Sequence, residues 1–130
     1  MPDLKEIKEF IIEWNEVNTA DYYEASDQIW ENPELSMQEY KSSQTLINLL
    51  EKAGFEVEKA VAGMPTAFIA SYGSGKPVIG INCEYDALPG LSQDREKLEK
   101  APVKQGAPGQ GCGHNLLGTA GVKAATAIKE

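Results

Sequence analysis

The stretch Ala67-Phe68-Ile69-Ala70-Ser71-Tyr72-Gly73-Ser74-Gly75-Lys76-Pro77-Val78-Ile79-Gly80-Ile81-Asn82-Cys83-Glu84-Tyr85-Asp86 decides the fold class. Two apolar, β-branched runs, 67–72 and 76–84, flank Gly73-Ser74-Gly75, the composition of a hairpin turn between two strands. Their continuous apolar character, without the polar alternation of a half-exposed strand, predicts a sheet covered by helices. Just upstream, Phe55, Val57 and Val61 are interleaved with Glu56, Glu58 and Lys59, which reads as an edge strand.

Helical patterns lie on both sides. Leu4, Ile7, Phe10, Ile11, Trp14 and Val17 recur at three- and four-residue steps, and Tyr22, Tyr23, Ala25, Ile29 and Trp30 carry the pattern to Glu31-Asn32-Pro33. One long helix, bent near Asn18 and Thr19, is the simplest reading. Ser36 and Glu39 have the S-x-x-E spacing of a capping box, Leu46, Ile47, Leu49 and Leu50 form an apolar face behind it, and Gly54 ends that helix. Residues 86–113 are rich in Gly, Pro and charge and predict a long loop. Leu116, Leu117, Ala120, Val122, Ala124, Ala125, Ala127 and Ile128 then form a helix apolar on most sides, which other layers must cover. The order α-α-β-β-β-loop-α is that of an α/β layer architecture. Because the last helix reaches Glu130 without a cap or a following strand, residues 1–130 are expected to be the first part of a larger domain.

Composition narrows the chemistry. The chain has 130 residues, 42% hydrophobic and 25% charged, so it holds enough apolar material for a core. A formal net charge of -8 repels a phosphate backbone, which argues against a nucleic-acid partner. Nine of the acids and two of the bases fall in residues 1–31, the pattern of a solvated helix face. The longest apolar stretches, 46–50 and 78–83, are far short of the roughly 20 residues a membrane span needs. The first ten residues carry Asp3, Lys5, Glu6, Lys8 and Glu9, unlike a secretory signal, so a cytoplasmic address is expected. Two cysteines in such a chain read as reduced thiols. The single histidine, His114, excludes a centre built from several histidines of these 130 residues.

Two clusters carry chemistry. Glu84 and Asp86 lie two apart at the end of an apolar run, where a continuing strand projects both carboxylates to one side, able to bind a cation or orient a base. A strand end entering solvent accounts for them equally well. Gly109-Gln110-Gly111-Cys112-Gly113-His114-Asn115 precedes the last helix, and an extended backbone there lets Cys112 and His114, both zinc ligand types, reach the same side. A glycine-rich turn with Cys112 as a small hydrophobe remains the other reading. A phosphate-binding loop lacks its Gly-Lys-Ser/Thr, and a Cys112–His114 thiol hydrolase is disfavoured because residues two apart on an extended segment rarely face one another.

Taken together, 67–73, 75–79, Glu84-Tyr85-Asp86-Ala87-Leu88-Pro89-Gly90-Leu91-Ser92-Gln93 and Gly111-Cys112-Gly113-His114-Asn115-Leu116-Leu117-Gly118-Thr119-Ala120 resemble the zinc-dependent aminoacylase and carboxypeptidase family of amidohydrolases. Within it they look most like the aminobenzoyl-glutamate-cleaving branch. The resemblance implies the N-terminal portion of a zinc-exopeptidase-like catalytic domain over residues 1–130, with a dimerisation or lid domain absent. It implies two bound zinc or manganese ions, with Cys112 and His114 as metal ligands, Glu84 as a further ligand or second acid, and Asp86 in the catalytic, site-supporting position. The implied substrates are N-acyl amino acids, aminobenzoyl-glutamate-like compounds or small dipeptides, cut by a metal-activated water. The implied full-length form is a homo-oligomer. Gln110 stands where the family commonly has histidine, and the family's proton-shuttling glutamate lies further downstream, so residues 1–130 alone are expected to be inactive. The rival expectation is a non-catalytic α/β module used in binding or assembly.

Overall fold

The computed structural model describes residues 3–130. Helices α1 (Leu4–Val17), α2 (Ala20–Glu31) and α3 (Tyr40–Lys52) are followed by strands β1 (Glu56–Lys59) and β2 (Phe68–Ser71), a long irregular stretch, and helix α4 (His114–Lys129). The chain is thus a small α/β domain. β1 and β2 pair antiparallel, with Glu56 opposite Ser71 and Lys59 opposite Phe68.

The core lies where α2, α3 and α4 meet. Tyr22, Ile29, Leu46, Leu50 and Val122 form its centre, and Trp14, Phe55, Phe68 and Tyr85 pack around them. Ile29 and Leu46 are completely enclosed, each contributing roughly 2–3 kcal/mol by removal from water. The β-sheet closes one side of this helical layer through Phe55, Val57 and Phe68.

The expected long first helix is two helices. The predicted bend is a break, because Asn18 and Thr19 turn their side chains onto the last carbonyls of α1: Asn18 Nδ2 donates to Trp14 O (2.9 Å) and Thr19 Oγ1 to Asn15 O (2.7 Å). Lys123 on α4 donates to the same Asn15 carbonyl at 2.8 Å, so a cation sits at the negative end of α1 and pins α4 to the elbow.

The capping box expected at Ser36 and Glu39 does not form. Glu34 instead accepts from Lys41 N (3.0 Å) and Ser42 N (2.8 Å), capping α3 from across a turn that passes through Met37 at φ 68°. That turn carries Glu39 inward. A capping box is present at Asp3 and Glu6, at the start of α1.

The third expected strand, 76–84, is also absent. Among the described residues no backbone hydrogen bond involves residues 73–86, and Val78 and Ile79 are 85% and 67% exposed. Glycine at 73, 75 and 80 weakens any strand here, and the chain leaves β2 without folding back along it, so the run has no ladder to join. Residues 87–111 are mostly loop, as expected, tied by isolated bridges from Leu35 to Ala87 and from Leu88 to Gly109. No helix among the described residues is long and apolar enough to cross a membrane.

Candidate metal centre

The end of the extended segment and the start of α4 meet beside the core. Gly113, at φ 71°, makes the left-handed turn that admits the chain into α4 and places His114 as its first residue. The segment comes close because α4 presents glycines to it. A Cβ on Gly118 would lie 2.8 Å from the Glu84 carbonyl oxygen, and one on Gly121 would strike the Cys83 sulfur.

His114 stands between two carboxylates. Its Nδ1 lies 2.7 Å from Asp86 Oδ1 and its Nε2 lies 3.1 Å from Glu84 Oε2. One ligand atom from each of the three residues falls within 4.8 Å of the others. The imidazole is mostly buried, Asp86 is a quarter exposed and Glu84 half exposed, so the cluster opens to solvent on the Glu84 side. A neutral imidazole has one N–H and satisfies one carboxylate. With Nδ1–H given to the closer Asp86, the Nε2 lone pair faces the Glu84 carboxylate, and only a proton or a cation between them removes that repulsion. The same arrangement, with a carboxylate holding one ring nitrogen and a cation on the other, is how metal-ligating histidines are commonly oriented. The residues present therefore fit a metal ion held by Nε2 and Glu84.

Cys112 is not brought into the cluster. It is exposed, and it lies in a turn closed by Gly113 N donating to Gln110 O (3.1 Å), not on the extended backbone that would carry Cys112 and His114 to one side. Gln110 is buried, and its Oε1 accepts from Asn115 N at 3.2 Å. Asn115 in turn donates to Ser26 Oγ at 3.0 Å, which fastens the loop to α2.

Behind the carboxylates lies a cavity of about 350 Å³ whose walls include Glu39, Thr66, Tyr85, Met37 and Met64 together with Glu84, Asp86 and His114. Burial, reinforced by the charges of Glu39 and Asp86, pushes the Tyr85 phenol up to about 12, so it is a hydrogen-bond donor and not an anion at neutral pH. Burial also pushes the Cys83 thiol up, which keeps it inert. Glu39 and Thr66 escape sequence reasoning because Glu39 has a ready reading as a helix cap and Thr66 stands in no motif, while Tyr85 lies inside the Glu84-Tyr85-Asp86 motif with no role read from it.

Relatives of the chain bear on what this cluster is for. No protein-family model matches it. A p-aminobenzoyl-glutamate hydrolase of Escherichia coli is 47% identical over 127 residues, 98% of this chain and 26% of that protein. The chain's relatives are amidohydrolases and peptidases, each matched over only part of its length. Thermostable carboxypeptidase 2 of Saccharolobus solfataricus is 34% identical over 115 residues, 87% of this chain and 25% of the relative. A human Xaa-Arg dipeptidase is 30% identical over 114 residues, 78% of this chain and 22% of the relative. The chain spans about a quarter of the length of the curated relatives it matches. His114, Glu84 and Asp86 fall within the 98% of the chain that the E. coli match covers.

Proposed function

We propose that residues 1–130 are the N-terminal, metal-holding part of a metal-dependent amidohydrolase catalytic domain, one that cleaves the amide of N-acyl amino acids, aminobenzoyl-glutamate-like compounds or small dipeptides. The observation that carries the reading is His114 held between Asp86 and Glu84. His114 Nε2 and Glu84 would hold the ion, Asp86 fixes the imidazole through Nδ1, and Cys112 would be a further ligand. Zinc or manganese, two ions in the complete domain, suits an N, O and S donor set. When bound, such an ion polarises the amide carbonyl and lowers the pKa of water.

The chain's own residues do the rest. Half-exposed Glu84 leaves an open approach for a substrate, while Asp86 and the His114 ring are more deeply covered. The two carboxylates and one imidazole fall short of a four-ligand site, and the third carboxylate at the cavity, Glu39, is taken by the Thr66 hydroxyl, which leaves no free general base there among the described residues. The remaining ligands and base come from sequence outside the matched quarter, in a cytoplasmic enzyme that is a homo-oligomer at full length. Residues 1–130 alone are accordingly inactive.

Elemental analysis and hydrolysis of aminobenzoyl-glutamate and N-acyl amino acids test this. The full-length enzyme carries zinc or manganese and loses turnover on His114→Ala. A full-length enzyme free of transition metal, with activity indifferent to His114→Ala, would overturn the reading. Turnover by residues 1–130 with added metal, lost on His114→Ala, would show instead that the site is complete without further sequence.

A further inference from the structure

Residues 73–86 make no backbone hydrogen bond among the described residues, yet Glu84 and Asp86 are held within 3.1 Å and 2.7 Å of His114. Something other than a β-ladder sets their position. Successive side chains of an extended segment point to opposite sides, so with Glu84 and Asp86 turned toward His114, Tyr85 points away from it. There its hydroxyl donates to the Thr66 carbonyl at 2.5 Å, and its ring stacks on Phe68 of β2 with centroids 5.9 Å apart. The Thr66 hydroxyl in turn donates to the Glu39 carboxylate. Glu39 and Thr66 are both 6% exposed, so this is a desolvated hydrogen bond to a charged acceptor, the stronger kind.

The two residues that hold Tyr85 in this chain of bonds, Glu39 and Thr66, sit in segments tied by backbone hydrogen bonds. Glu39 is fixed to α3, where Ser43 N donates to its carbonyl at 2.9 Å. The loop that presents Thr66 is closed by Ala67 N donating to Met64 O (3.2 Å) and Val61 N donating to Ala67 O (3.3 Å). The segment then regains a backbone anchor only at Ala87, whose N–H donates to Glu34 O at 2.7 Å. We infer that Tyr85, Thr66 and Glu39 form a latch that positions the Glu84 and Asp86 carboxylates against His114. They are positioning residues for the metal centre, and the inference rests on the metal-binding reading proposed above.

Binding of Co²⁺ to the full chain, followed by calorimetry and by the visible Co²⁺ absorption, tests the latch without recourse to activity. Tyr85→Phe keeps the ring stack and removes only the hydroxyl; Thr66→Val removes the bond to Glu39; Thr66→Ser keeps it. Tyr85→Phe and Thr66→Val should each weaken Co²⁺ binding about tenfold and alter the absorption, as loss of groups that orient ligands commonly does. Thr66→Ser should bind within about twofold of the parent with an unchanged spectrum. Parent-like binding and spectra in Tyr85→Phe and Thr66→Val, with binding abolished by His114→Ala, would overturn the latch and leave the metal centre standing. Parent-like binding by His114→Ala as well would overturn both. If Tyr85→Phe does not fold by circular dichroism, the Thr66→Val and Thr66→Ser pair decides alone: equal losses in the two would show that the hydroxyl is not what matters.

Discussion

The helical layer and the extended segment that crosses it are built on opposite terms. In the layer, Leu46 and Ile29 are sealed among α2, α3 and α4, whose backbone is helical. Across residues 73–86 the backbone bonds to nothing among the described residues, and apolar Val78 and Ile79 face outward. Yet the segment ends in Glu84 and Asp86, the carboxylates that meet His114. Stability is thus carried by the layer, while the cluster takes its carboxylates from the segment and its imidazole from the start of α4, where α4 and the proposed Tyr85 latch grip the segment.

The largest effect should come from the layer. Leu46→Ala empties the most enclosed side chain of the core, and since the backbone around three packed helices cannot collapse fully, a loss of about 3–5 kcal/mol is expected in urea unfolding. A loss below about 1 kcal/mol would show that the layer does not carry the stability.

The next effect tests the grip itself. Gly118→Ala gains about 1 kcal/mol of helix propensity, but its Cβ would sit 2.8 Å from the Glu84 carbonyl and 3.1 Å from Leu46 Cδ1. The clash is relieved only by moving the Glu84 backbone and its packing on α4, so a net loss of about 1–3 kcal/mol is expected, with weaker Co²⁺ binding as the segment is pushed off α4. A stabilised protein with unchanged binding would mean that the segment does not rest on α4.

The fold is legible in the sequence where the signal is local. Three- and four-residue periodicity marks the helices, and the Asn18-Thr19 pair marks the break in the first of them, though not its depth, which depends on Lys123 more than a hundred residues away in sequence. The third expected strand fails for the converse reason. A run such as Val78-Ile79-Gly80-Ile81 reports a preference for burial and extension, but pairing needs a partner that the run itself does not name. In the site, Glu84, Asp86 and His114 are legible as ligand types in two short polar clusters, and the structure brings them together although the strand expected to present the carboxylates at its end does not form. Cys112 falls beside His114 only on an extended backbone, and the turn at 110–113 removes that premise. Glu39 reads as a cap because its true partner, Thr66, is 27 residues on.

A smaller effect separates the two cysteines. Cys112 is exposed, whereas burial raises the Cys83 thiol above its ordinary value and α4 covers it, so a disulfide reagent at pH 8 should modify Cys112 at least about tenfold faster. Added zinc should slow Cys112 if that thiol joins the centre. Unchanged labelling in saturating zinc would remove Cys112 from the ligand set and leave Glu84 and His114 in it.

The smallest effect is expected where the sequence is most apolar and the structure most open. Val78 is as hydrophobic as many core residues, and from composition alone Val78→Ser should cost what other buried valines cost. In the structure its side chain is 85% exposed and its backbone is unbonded, so the substitution removes little contact and strands no polar group. Substitutions at such positions usually change stability by no more than about 0.5 kcal/mol, and the same is expected here by urea unfolding of the monomeric chain. Leu46→Ala and Val78→Ser then differ by several kcal/mol although both reduce an aliphatic side chain, which is the contrast between the two regions in one measurement. A loss above about 1.5 kcal/mol at Val78 would mean that 76–84 is buried against a partner under the conditions of the experiment. The segment would then belong to the stabilising part of the molecule, and the division drawn between layer and segment would fail.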